Sequence, residues 1–172
     1  MSAGWEIVPA AESYLAGYRR AVDIVARERK YLAFLEAWPI EQTRAFLRDN
    51  LSRGNPHFLV VRGDDVGGWC DIIRNLRPIH PHCGTLGIGL VPELRRQGIG
   101  RRLMQHTIAA AFACSMTRIE LTVRENNSNA IALYKSLGFA IEGLHRNAVC
   151  IARGTKTNSQ WRSCASSTVV SA

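Results

Sequence analysis

Arg95-Arg96-Gln97-Gly98-Ile99-Gly100-Arg101-Arg102 sets four arginines around two glycines within eight residues. An apolar, strand-like run ending at Val91 leads into it, and a helical pattern follows. A helix N-terminus presents N–H groups that have no intrahelical acceptor, and the helix dipole adds partial positive charge there. Glycines let a bulky anion approach the backbone, and arginines add charge-assisted hydrogen bonds. The ligand such a segment suits is a diphosphate; the plainer alternative is a basic, glycine-rich helix start that binds nothing. The Gly-Lys-Ser/Thr ending of a nucleoside-triphosphate loop is missing, and a dinucleotide loop would need a third glycine.

About two dozen residues later the chain reads Val123-Arg124-Glu125-Asn126-Asn127-Ser128-Asn129-Ala130-Ile131-Ala132-Leu133-Tyr134-Lys135-Ser136-Leu137-Gly138-Phe139. This resembles the second conserved segment of the GNAT acetyltransferases, V-x-x-x-N-x-x-A-x-x-L-Y-x-x-x-G-F. Val91-Pro92-Glu93-Leu94-Arg95-Arg96-Gln97-Gly98-Ile99-Gly100 resembles the acetyl-CoA loop of the same family, and the two occur in the family's order. The resemblance extends from about Phe58 to Val149.

It implies a role for each matching position. Leu90 and Val91 would hydrogen-bond the pantetheine arm through their backbone, one N–H there polarising the thioester carbonyl. Arg95, Arg96, Gln97, Gly98, Ile99, Gly100 and Arg101 would hold the diphosphate. Asn127 would contact the cofactor arm, besides capping a helix, and Tyr134 would face the sulfur. The co-substrate implied is acetyl-CoA. The acceptor implied is a small amine or amino acid, because Ile141-Glu142-Gly143-Leu144-His145-Arg146-Asn147-Ala148 looks like the continuation found in bacterial enzymes of that kind.

The chemistry joins a neutral amine to a thioester and needs no nucleophilic Cys or Ser. An alkyl ammonium with a pKa near ~10.4 must lose a proton first. A tyrosine of pKa ~10 can protonate the leaving thiolate, the role expected of Tyr134. For the base there are two candidates. Glu120 alternates onto the face of Thr122 and either points to the cleft or pairs with Arg118. His82 enters the strand that leads to the loop, and is either the base or an ordinary loop histidine; His80 is a weaker candidate. Tyr31, Phe34, Glu36 and Trp38 either line an aromatic acceptor pocket or belong to the core.

The elements that must position these groups follow from periodicity. Glu6–Pro9 reads as a short strand, and Ala11 to about Arg29 as a helix with Leu15, Tyr18, Val22 and Val25 on one face. Pro39 interrupts, and a second helix runs from about Ile40 to Leu51. Phe58–Val61 and Val66–Ile73 form a hairpin about Gly63-Asp64-Asp65. Thr85–Val91 alternates, and its glycines invite a bulge or a close approach. A helix to about Cys114, a strand Ile119–Val123, a helix after Asn127 and a strand opening at Phe139 complete the order. The fold class expected is α/β: a single-domain GNAT fold, its mixed and mostly antiparallel sheet flanked by helices, over residues 1–150.

Residues 151–172 depart from that pattern. Relatives with this continuation finish on a strand like G-x-Y-E-D-x-x-x-M-A-L-L, whereas Gly154 to Ser166 is Ser/Thr-rich without strand alternation. Codons for Gly154 to Ala165 can be chosen so that a shifted frame reads YENQLAMALLR, which makes this tail a candidate frameshift product with the last strand lost or altered.

The 172 residues are enough for one core, and 47 % apolar with 21 % charged residues excludes a disordered chain. The net charge of +8 favours an anionic partner, and the clustering of arginines favours a phosphorylated cofactor over nucleic acid. Five cysteines, none at C-x-x-C spacing, argue against a disulfide framework and a metal site. With no signal peptide and no membrane span read from the sequence, the expected location is the cytoplasm of a bacterium. The resemblance allows a homodimer. The competing readings are a ribosomal-type protein N-terminal acetyltransferase, and a non-catalytic acyl-CoA- or nucleic-acid-binding module.

Overall fold

The computed structural model describes residues 4–151 and 163–171. The chain forms two compact units, Met1–Ile119 and Glu120–Ala172.

In the first unit β1 (Glu6–Pro9), β2 (His57–Arg62), β3 (Asp65–Arg74) and β4 (Cys83–Leu90) lie side by side in chain order, each antiparallel to the next. Helix α1 (Leu15–Arg27) follows a 3-10 turn at Glu12–Tyr14. It buries Leu15, Tyr18, Ala21, Val22, Val25 and Ala26, the stripe a 3.6-residue period puts on one side. Helix α2 (Ile40–Ser52) begins directly after Pro39, whose fixed φ suits a helix start. Gly54, at φ 65°, takes the left-handed turn beyond its end. Helix α3 (Ile99–Ala113) buries Leu103, Met104, Thr107 and Ala111.

β3 is buried from Val66 to Ile72, because α1 and α3 both pack on it. Its side chains alternate between two covered faces. Tyr18 of α1 packs edge-on to Trp69 at 6.0 Å. The pairing of β3 with β4 runs unbroken from Gly68↔Leu90 to Arg74↔Gly84. β2 and β3 shift register between Val60 and Val61, whereas along the β3–β4 pairing the β4 glycines make no register shift. Their use is close approach: a Cβ on Gly89 would stand 2.2 Å from the Trp69 ring.

The second unit holds most of β5 (Arg118–Arg124), helix α4 (Ser128–Ser136), β6 (Ala140–Ile151) and β7 (Ser163–Ser171). β7 lies between β5 and β6 and is antiparallel to both. A last strand is therefore present, built from Ser163-Cys164-Ala165-Ser166-Ser167-Thr168-Val169-Val170-Ser171. The sequence expectation of a non-alternating tail misses it because cross-strand pairing, which is non-local, outweighs a weak local pattern. The rest of that tail, 152–162, lies outside the described residues.

Candidate functional site

The segment after β4 is shaped by its backbone. Pro92–Leu94 makes a single 3-10 turn, with Leu94 N–H bonding Val91 O at 3.1 Å and Arg95 N–H bonding Pro92 O at 3.2 Å. Arg96 (φ 61°) and Gly98 (φ 76°) both adopt left-handed backbone before α3 starts. For Arg96 that conformation is uncommon, and such outliers concentrate at ligand sites. The Gln97 side chain braces the turn by donating to Glu93 O at 2.6 Å.

The first returning helical bond is Arg102 N–H to Gly98 O, 3.2 Å. The amides of Ile99 and Gly100 therefore belong to the set that a helix leaves without an internal acceptor. No acidic side chain lies in the first turn of α3, so no carboxylate there offsets the dipole. Arg96, Arg101 and Arg102 are exposed around it.

Arg95 is engaged on the protein itself. Its Nε donates to Leu90 O at 2.9 Å, its Nη1 to Glu28 Oε2 at 2.9 Å, and its Nη2 to Glu28 Oε1. The guanidinium also lies 5.0 Å from the Tyr31 ring centroid. The bidentate pair holds Glu28 below the usual carboxylate range, its hydrogen bonds to Arg95 being the main cause. Of the residues expected to hold a diphosphate, Arg95 thus ties the end of β4 to the segment that follows α1.

The four expected acceptor residues lie in that segment between α1 and α2. Tyr31 and Trp38 are 41 % and 45 % exposed, so they are not core. Phe34 and Trp38 rings are 5.6 Å apart, and Trp38 meets Phe46 of α2 edge-on at 5.8 Å. Glu36 is exposed and pairs with Arg27 at 3.4 Å. Asp23 accepts from Ala37 N–H at 2.9 Å, and Arg19 donates to Trp38 O at 2.8 Å, so the loop is held from both sides.

His82 precedes β4, at the end opposite Leu90; the eight-residue strand puts about 25 Å between them at ~3.3 Å per residue. Its carbonyl accepts from Thr117 and Arg118 N–H, and its ring lies 6.5 Å from that of His80. The strand separates both histidines from the loop that leads into α3.

In the second unit, Asn127 Oδ1 accepts from Ala130 N–H at 3.3 Å and so caps α4. Tyr134 is the buried residue of that helix, 7 % exposed, with its ring 6.0 Å from Phe139. Gly138, at φ 91°, makes the turn that brings Phe139 back, the Phe139 N–H bonding Tyr134 O at 3.1 Å. Glu120 is half-buried and alternates with Thr122, opposite the buried Ile119, Leu121 and Val123.

Sequence reasoning missed a row of polar groups inside the first unit. His57 pairs with Asp71 across β2–β3, and Asp71 pairs with Gly87 across β3–β4. Both polar side chains are buried, at 3 % and 6 % exposed. Burial lowers the His57 pKa to about 4 and raises that of Asp71 to about 7. The sequence signal was a lone carboxylate in the apolar run Val66-Gly67-Gly68-Trp69-Cys70-Asp71-Ile72-Ile73.

The sequence profile of the acetyltransferase (GNAT) family matches residues 23–139. The chain belongs to the GNAT family. A ribosomal protein bS18-alanine N-acetyltransferase from Salmonella typhimurium is 39 % identical over 67 residues, covering 39 % of this chain and 45 % of that one. An L-amino acid N-acetyltransferase from Escherichia coli is 36 % identical over 80 residues, covering 46 % and 49 %. The matches thus span less than half the length of each of these curated relatives. Among GNAT structures, a Salmonella typhimurium protein solved with its cofactor acetyl-CoA superposes with a TM-score of 0.83 at 15 % identity, over 98 % of this chain and 93 % of that one. The α/β fold expected from the sequence is therefore the GNAT fold. No helix of the described residues is long and apolar enough to cross a membrane.

Proposed function

We propose that this protein transfers the acetyl group of acetyl-CoA to the primary amine of a small molecule or amino acid. The observation that carries the proposal is the left-handed turn at Arg96 and Gly98, which opens α3 onto its unpaired amides in a chain of the GNAT family. In this reading the amides from Gly98 to Arg101, with Arg96 and Arg101, take the diphosphate. As the family resemblance implies, the backbone at Leu90 and Val91 takes the pantetheine arm, and Asn127 contributes to the same arm. Arg95 acts indirectly, by fixing the Leu90 carbonyl and the Tyr31 ring.

The acceptor's ammonium first loses a proton. The amine nitrogen then attacks the thioester carbon, the N–C bond forms and the C–S bond breaks. Tyr134 protonates the sulfur and is recharged by the second proton leaving nitrogen. One proton is released overall. Replacing Tyr134 by Phe keeps the contact with Phe139 and removes the acid, so kcat falls by about 10²-fold or more while acetyl-CoA binding is retained. A maximal rate equal to wild type would remove Tyr134 from this role.

Isothermal calorimetry with acetyl-CoA, followed by mass spectrometry of products from an amine panel, tests the whole reading. Absence of association with coenzyme A or its acyl forms would end it. A second reading makes the acceptor a protein N-terminus, as the name of the Salmonella relative states for that enzyme. The exposed Tyr31, Leu35, Trp38 and Ile40 favour it, because they offer a peptide an apolar surface. Acetylation of peptides in preference to free amino acids would decide for it.

A further inference from the structure

We propose that Asp71, flanked by Tyr18 and His57, is the acceptor subsite: a buried carboxylate that binds a primary ammonium and takes its proton. The assignment rests on the acetyltransferase reading and supplies that reaction with a base other than Glu120 or His82.

A buried carboxylate kept for stability is normally hydrogen-bonded or ion-paired. Among the described residues no donor reaches the Asp71 carboxylate, and burial is the cause of its raised pKa. The groups facing it are few. From α1 comes Tyr18, 4 % exposed, whose pKa is raised by burial and then by the Asp71 charge beside it. From β2 comes His57, whose Nε2 is buried and without a partner among the described residues. From β4 comes Gly87, where a Cβ would stand 3.2 Å from Asp71 Oδ1. From α2 the Asn50 amide lies 3.3 Å from His57 Nδ1, and Asn55 holds Asn50 in turn at 2.8 Å. With the Asn50 amide donating to Nδ1, the neutral imidazole carries its proton on Nε2.

The set is one anion beside two neutral groups, and among the described residues no cation is paired with it. Its complement is a primary ammonium next to an oxygen acceptor. That is the α-amino group of a free amino acid or of a peptide's first residue. Gly87 stands three residues before Leu90, about 10 Å at ~3.3 Å per residue, a gap that the aspartate side chain and one bridging water cover. A carboxyl titrating near neutrality is matched to the task of a general base.

Full-length wild type, Asp71→Asn and Tyr18→Phe are compared across about pH 5.5–9, with methionine, phenylalanine and an alanine-initiated peptide as acceptors. In wild type the rate constant kcat/KM rises through the Asp71 titration. Asp71→Asn binds acetyl-CoA as wild type does by calorimetry, loses that limb, and drops kcat/KM by about 10²-fold or more. Tyr18→Phe keeps its ring packing and raises KM several-fold with the limb in place. Which acceptor loses most tells the free amino acid from the peptide. An Asp71→Asn enzyme with kcat/KM near wild type, or with the same acid limb, overturns the assignment alone. Wild type that binds no acetyl-CoA overturns the acetyltransferase reading with it.

Discussion

Asp71→Asn will make the protein more stable at pH 8, by about 2–4 kcal/mol, with a rise in Tm of roughly 6–12 °C. The folded state holds the Asp71 carboxyl at a pKa of about 7 through burial, against about 3.9 in an unfolded chain. Between those values the folded protein keeps a proton that the unfolded chain releases, so stability falls as pH rises. Above the folded pKa the deficit is complete, at 1.36 kcal/mol per unit, or about 4 kcal/mol. Asparagine fills the same volume and never ionises; its unpaired amide offsets part of the gain. Near pH 4 both chains carry a neutral group and the difference shrinks toward zero. Thermal unfolding of the two proteins at pH 4.5 and 8 checks the sign and the size. A variant less stable than wild type at pH 8 would show that the carboxylate is paired in solution. The combination of gained stability and lost turnover is what a functional rather than structural residue produces.

Gly89→Ala will lower Tm by roughly 4–12 °C, from about 2–4 kcal/mol of destabilisation. The added methyl would stand 2.2 Å from Trp69 Cη2 and 2.6 Å from Cζ2 and Cζ3. Trp69 is 5 % exposed and Tyr18 packs against it at 6.0 Å, so the ring has nowhere to retreat without breaking that contact. Gly143→Ala is the control, since a Cβ there meets nothing within 4 Å. Equal melting temperatures for the two variants would mean that Trp69 does not lie over β4 in solution.

Most of the fold was legible because its signals are local. The 3.6-residue stripe of Leu15, Tyr18, Val22 and Val25 gave α1, and Pro39 set the start of α2. Asn127 was legible as a cap because the contact it makes is three residues away.

What escaped depends on partners distant in sequence. Glu28 meets the Arg95 guanidinium from 67 residues away, a partner that a resemblance read from a short motif does not contain. Asp71 becomes notable only when the β2–β3–β4 register sets it between His57 and Gly87. The same register shows that Gly87 and Gly89 make room for Asp71 and Trp69, where the sequence left open a bulge or a close approach by a ligand. His82 lies at the end of β4 away from Leu90, a distance that its closeness to the strand in sequence does not reveal. β7 was obscured because its serine-rich sequence is committed by neighbours on both sides.

The left-handed turn that opens α3 has one more consequence. Main-chain N–H groups are the same whatever side chain they carry, so a diphosphate gripped by them is blind to most of the loop's letters. Drift at Ile99 should then be cheap, and intolerance should concentrate at Gly98, where any side chain would have to share a φ of 76°.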